Sequence, residues 1–202
     1  IGTYRGSIAV INEDQFQRNH TIIITNCIFF SCSSIENGGA LKILYNPRII
    51  FPNKTYKMLS THGFIIMKFE NVTFKNCSSS LDGGAVYIDF TTLAFDYVEP
   101  KVNSGNIFIL FNNVSFINNR ALSRAGALYI SNSGQVVIIN CHFHQNSAIK
   151  HAGSIVCANA NFVKTIDSTF VSNYVQSGTA SVADFKVITK LINENLHVTN
   201  NS

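Results

Sequence analysis

The chain contains no Trp, three Pro and two Met, and only 13% of its residues are charged. So little charge and so few Pro exclude a disordered tract, and 46% hydrophobic residues over 202 positions supply one continuous apolar core. No apolar run is long enough to cross a bilayer, so direct membrane insertion is not expected. Lys and Arg are scattered and the formal net charge is only +4, which argues against a nucleic-acid partner. A Gly-rich phosphate loop and a calcium-binding nonapeptide repeat are both missing. Acidic residues number 11, and their spacing puts no pair on adjacent repeats of one outward strand. Clustered-carboxylate catalysis, as in polysaccharide-degrading enzymes, is therefore not expected, and no catalytic residue is assigned.

What the chain does have is a cassette. An Asn is followed three residues later by Phe, three further on by Asn or Cys, and then by a Gly that opens a run of alternating aliphatics. The copies are Asn26, Phe29, Cys32, Gly39; Asn71, Phe74, Cys77, Gly84; Asn113, Phe116, Asn119, Gly126; Asn140, Phe143, Asn146, Gly153; and Asp167, Phe170, Asn173, Gly178. The Phe-to-Gly step is ten residues in four copies and eight in the fifth, whereas successive positions of the Phe column, ending at Leu196, lie 26 to 45 residues apart. A conserved cassette with variable connections is the signature of a solenoid.

Each position of the cassette reads as a column. Two residues after the Gly come Ile8, Leu41, Val86, Leu128, Ile155 and Ala180, and four after it come Val10, Ile43, Ile88, Ile130, Cys157 and Val182. Lys42, Tyr87, Tyr129 and Val156 lie between them, so this segment alternates with a period of two and is a strand with its aliphatic face inward. A second strand precedes the Asn, with inward pairs Ile22 and Ile24, Met67 and Phe69, Ile109 and Phe111, Val136 and Ile138, Val163 and Thr165. A third carries Cys27, Val72, Val114, Cys141 and Ser168 two residues before the Phe column. The inward register slips by one residue at the Asn, which marks a tight bend in left-handed backbone. Like registers recurring in one chain direction stack as parallel strands about 4.8 Å apart. The expected fold is all-β: a right-handed single-stranded parallel β-helix, a solenoid of about six to seven coils with three strands each, forming one domain over 1–202.

Two loops are inserted, about 45–63 and 91–105, and they are expected as neighbouring lobes on one edge, where binding is commonly placed. Six sequons occur, at Asn19, Asn53, Asn71, Asn76, Asn113 and Asn200, and their density suggests an extracellular or cell-surface glycoprotein with N-linked glycans as its covalent modification. Asn53, Asn76 and Asn19 read as the most accessible. Cys32 and Cys77 share a register on adjacent coils, within disulfide reach at about 5 Å, whereas Cys27, Cys141 and Cys157 read as small buried hydrophobes. His142 and His144 flank Phe143 and face outward, with Ser115, Thr169, Ile117 and Val171 above and below them. None of these four completes a metal site, so no metal and no other cofactor is expected. Asp82 and Glu36 read as solvated turn residues. Tyr87 and Tyr129, adjacent and outward beside Lys42, form a candidate ligand face for a glycan or host surface.

The phrases FFSC with GGAL, FKNC with GGAV, and FINN with AGAL resemble the FxxN and GGA(I/L/V) repeats of chlamydial polymorphic outer-membrane proteins and of related protist surface β-helix proteins. The resemblance covers nearly the whole chain and implies a surface location and an adhesive or structural role. Cys replaces the second motif Asn twice, Ser154 replaces Ala after Gly153, and no autotransporter barrel is found, which with the sequons favours a eukaryotic relative.

The sequence opens on a Gly strand at Gly6 and closes on a Phe half-cassette, with Leu196 in the Phe column and Thr199 in the second-Asn register. From Leu196 to the Gly6 of a following copy is twelve residues, so both ends are expected to lie open mid-coil and to meet a further copy or a continuing chain. The expected function is structural, a non-enzymatic building block of a surface fibre or long ectodomain that partners with copies of itself end to end. An adhesin using the loops or the Tyr face is the alternative. If Phe116 lies in a closed aromatic column, Phe116→Asp buries an unpaired charge and unfolds the middle coils. Denaturant unfolding checks this, and a soluble variant with an unchanged cooperative transition contradicts the register.

Overall fold

A computed structural model describes residues 8–12, 19–45, 64–90, 106–177, 182–186 and 188–202. Both inserted loops fall almost entirely outside these ranges. The described chain is all-β, with parallel strands in three stacked sheets. A Gly sheet has six strands in the order Ile8–Asn12, Leu41–Tyr45, Val86–Asp89, Leu128–Ser131, Ile155–Ala158 and Ala183–Lys186. The largest sheet has ten strands and holds both the pre-Asn and the Phe segments, which fuse into single strands at Ile65–Lys75 and Ile107–Ile117. A short sheet of five two-residue strands runs from Ser33–Ser34 to Tyr174–Val175. The chain visits the largest sheet, the short sheet and the Gly sheet in turn, then enters the next layer.

Two of the three expected faces are thus one bent sheet, and the short sheet takes the third place. At the bend, Asn26, Asn71, Asn113, Asn140, Asp167 and Asn195 all hold left-handed backbone, with φ between 46° and 55°. One such residue turns the strand while the interlayer hydrogen bonds continue, as from Asn26 N to Glu70 O at 3.0 Å, so the sheet bends without ending. A second left-handed column, Ser31, Asn76, Asn118, Gln145, Ser172 and Asn200, has φ of 52–57° and steers the chain onto the short sheet. The sequence hid this column because its members differ in type.

The registers follow the cassette. Phe29 pairs with Phe74, Phe74 with Phe116, Phe116 with Phe143, and Phe143 with Phe170. Their rings stack at 4.8–5.1 Å between centroids, and Phe69 stacks on Phe111 at 4.6 Å. Each stacked pair adds about 0.5–1.5 kcal/mol beyond the area it buries. The cassette Gly is required by close approach: a Cβ on Gly84 would sit 1.9 Å from the Gly126 carbonyl oxygen, and one on Gly126 would sit 2.1 Å from that of Gly153.

The last layer departs from expectation twice. Ile155 pairs with Ala183 and Cys157 with Phe185, three residues beyond the expected Ala180 and Val182; Gly178 and Ala180 lie outside the described residues. The shift turns Phe185 toward the core, where it packs, whereas the expected register would turn it outward. Likewise Val198, not Leu196, pairs with Phe170. Asn193 is drawn into the strand opposite Thr165, which leaves Asn195 for the bend and puts Asn201, not Thr199, in the second-Asn column.

That column is a buried amide ladder. Asn146 accepts from Asn119 N at 3.0 Å and from Asn119 Nδ2 at 2.9 Å, and it donates to Phe116 O at 2.9 Å and Asn173 Oδ1 at 3.0 Å. Asn119 and Asn173 repeat the pattern with their own neighbours. Asn146→Ala strands several buried donors and acceptors and is expected to cost about 3 kcal/mol or more. Asn118→Gly removes an exposed amide bonded to Asn76 Oδ1 yet suits the left-handed backbone, so it is expected to stay within about 0.5 kcal/mol of the parent. Urea titrations that gave equal losses would contradict the ladder's role.

Candidate functional site

The outer face of the Gly sheet carries the candidate tyrosines in the expected column, Lys42 pairing with Tyr87, Tyr87 with Tyr129, and Tyr129 with Val156. The two rings stack at 5.0 Å and 8°. They are not an open platform, for Tyr87 is 8% and Tyr129 6% exposed. The left-handed turns before the cassette glycines fold Ala125 and Ala152 onto them, and with Val156 and Leu44 they form a second, smaller apolar cluster. A flat sugar has no free ring face to cover there. The alternating pattern correctly set the tyrosines outward but carried no signal that turns of the same chain would cover them.

Polar groups seal the cluster. Tyr87 Oη donates to Asp89 Oδ2 at 3.2 Å, while Ser131 Oγ and Asn132 Nδ2 donate to Asp89 Oδ1 at 2.5 and 3.1 Å. Arg124 lies 4.7 Å from the Tyr129 ring centre and clamps Asp82, donating from Nε at 3.1 Å and from Nη2 at 2.5 Å, while its backbone N donates at 3.0 Å. Asp82 is therefore buried and paired rather than a solvated turn residue. The signal was available: Asp82 and Arg124 each stand two residues before a cassette Gly, hence one above the other. Glu36 is exposed as expected and pairs with Lys42. Burial first, and then the Asp89 charge, pushes the Tyr87 hydroxyl well above its ordinary range; burial also raises Tyr129, against the pull of Arg124.

Cys32 and Cys77 occupy the amide-ladder column at its first two layers, between the paired Phe29 and Phe74 and the paired Ser33 and Ser78. Both are buried, and all five cysteines are unbridged. Cys77 Sγ is directed at the Phe29 carbonyl at 3.7 Å, the place where Asn119 Nδ2 reaches Phe74. The thiol thus substitutes for an amide. Cys141 and Cys157 are buried and Cys27 is partly buried, as small hydrophobes.

The sequons divide by what their amides do. Asn71 Nδ2 donates to Asn26 Oδ1 at 3.2 Å and Asn113 Nδ2 to Asn71 Oδ1 at 2.8 Å, an exposed ladder along the bend. Asn19 accepts from Phe64 N at 2.9 Å and Asn76 from Asn118 Nδ2 at 2.9 Å, each through Oδ1. Asn200 is exposed in the second left-handed column, and Asn53 lies outside the described residues. His142 and His144 take the predicted outward registers, and His142 Nδ1 meets Thr169 Oγ1 at 2.8 Å. Among the described residues no three His, Cys, Asp or Glu side chains converge on a shared point, and no helix is long and apolar enough to cross a membrane.

Comparison with protein-family models, with curated proteins and with solved structures finds no match to this chain.

The buried thiols, together with the buried Tyr87 and Tyr129 hydroxyls, lower stability in alkali. Desolvation pushes Cys77, Cys141 and Cys157 each up to about 12 from an ordinary value of 9.0. The unfolded chain releases these protons near pH 9 while the folded chain keeps them, so the stabilisation is complete below pH 9 and is lost as pH rises toward 12. Each thiol contributes a slope of about 1.4 kcal/mol per pH unit in that window. Urea midpoints are expected to fall from pH 9 upward, less steeply in Cys141→Ala; a midpoint independent of pH would contradict the burial.

Proposed function

We propose that this chain is a right-handed single-stranded parallel β-helix that serves as a structural building block of a glycosylated surface fibre or long ectodomain, its coils adding head to tail along one axis. The observation that carries the reading is the repetition of one register set through successive layers: Phe over Phe, Asn over Asn, Gly over Gly. One passage through the three sheets makes a coil, and the general preference of parallel crossovers gives the hand. A pile of self-pairing layers resists bending and accepts a further layer by the same hydrogen bonds, which is what a stiff spacer needs.

The resemblance to chlamydial and protist surface repeats supports the outward location, and so do the sequons. Asn19 and Asn76 use only their carbonyl oxygens in the bonds described, which leaves each Nδ2 open to carry a glycan. The adhesive alternative loses its tyrosine platform, since that face is covered.

Protein recovered from its native source tests the reading in two ways. Peptide-N-glycosidase treatment is expected to lower its apparent mass, and electron microscopy is expected to show rods or filaments in which this segment spans roughly 30 Å of the axis. Unglycosylated protein seen only as separate compact particles would overturn the proposal.

A further inference from the structure

The short sheet has an outer face that neither the apolar core nor the tyrosine cluster uses. Ser33 pairs with Ser78 and Ser78 with Arg120, and the inward neighbours Ser34, Ser79 and Ala121 pair alongside them. Next in each layer come Ile35, Ser80 and Leu122, held in step by Ser80 N donating to Ser34 O at 3.0 Å and Leu122 N to Ser79 O at 3.1 Å. The middle layer therefore presents two small hydroxyl side chains, while the layers on either side present Ile35, Arg120 and Leu122. The result is a notch of about 330 Å³. Its aliphatic walls are two layers apart, about 10 Å between backbones, which leaves room for one ring-shaped group between the side chains.

Three features make the notch more than a gap. Ile35 is 88% exposed and Leu122 42%, so two large aliphatic side chains stand in water facing one hollow. The neighbouring hydroxyls of Ser34 and Ser79 are occupied within the chain, accepting from Glu36 N and donating to Asp82 O. Those of Ser78 and Ser80 have no such bond among the described residues. Arg120 likewise makes no ion pair among the described residues, whereas nearby Arg124 is fully committed to Asp82 and the one acid beside Ile35, Glu36, is paired with Lys42.

We propose that this notch binds the ring of a carboxylate-bearing sugar, a uronate unit of an acidic oligosaccharide. A pyranose ring has apolar C–H faces and a polar rim. Ile35 and Leu122 cover the faces, the Ser78 and Ser80 hydroxyls meet the ring hydroxyls, and the Arg120 guanidinium forks onto the carboxylate in a bidentate pair. A bare phosphate or sulfate would leave both aliphatic walls wet, and a neutral sugar would leave the guanidinium unmatched. The site goes beyond the fibre reading and does not depend on it, since it needs only three layers in register.

Calorimetric titration of the chain with tetragalacturonate, and with maltotetraose as the neutral control, tests the assignment. The acidic ligand is expected to bind with a micromolar to millimolar Kd, weakened by added salt. Arg120→Ala is expected to lower affinity roughly tenfold or more and Arg120→Lys to restore part of it, because an ammonium keeps the charge but lacks the fork. Ser80→Phe, which fills the floor, is expected to abolish binding. Both sites are on the surface, so thermal unfolding of Arg120→Ala should match the parent and separates lost binding from lost folding. Equal binding of maltotetraose, unchanged affinity in Arg120→Ala, or no heat from tetragalacturonate at millimolar concentration would overturn the proposal and leave the fibre reading untouched.

Discussion

Parallel strands in matching register put each residue type directly over its counterpart, about 4.8 Å away, and every other feature of this chain answers to that spacing. A column of one residue type persists through the layers where its side chain can pair with itself. Phe does so by offset stacking, and Asn does so because its amide is both donor and acceptor and so passes a hydrogen bond from layer to layer. Gly does so where two backbones meet too closely for a Cβ. A buried charge repeated at that spacing would repel itself, which explains a core almost wholly without charge and a low charged content overall.

The same constraint made much of the fold legible. The Phe column, the inward aliphatic pairs and the left-handed Asn bend were all readable because each is a fixed offset from a visible marker. Registers from Phe29 to Phe170 agree residue by residue with the spacing. The short sheet was not readable, since two-residue strands are too brief for periodicity to show, and the left-handed residues that open it vary from Ser31 to Gln145. The last layer was misread where the markers were ambiguous: Asn193 and Asn195 both fit a bend, and only the fit of Lys190–Glu194 against Phe162–Ile166 decides between them.

The functional surface was less legible, for a different reason. Alternation reports whether a side chain points in or out of its own strand, not what other segment lies above it. Tyr87 and Tyr129 point out and are still buried by Ala125 and Ala152. Asp82 has the look of a turn carboxylate and is instead the anchor of Arg124. In both cases the missing information is the neighbour in the next layer, which becomes available once the columns are written beneath one another. The serines, Ile35 and Leu122 around Arg120 show the converse: no motif marks them, and only their juxtaposition across layers makes a hollow.

Through-space NMR contacts among selectively labelled phenylalanine rings test in-register stacking most directly. The account predicts that Phe116 shows contacts to Phe74, Phe143 and Phe111, that Phe143 shows contacts to Phe116 and Phe170, and that Phe74 and Phe143, two layers apart, show none. Direct contact between Phe74 and Phe143, or a Phe116 ring that meets neither Phe74 nor Phe143, would contradict it.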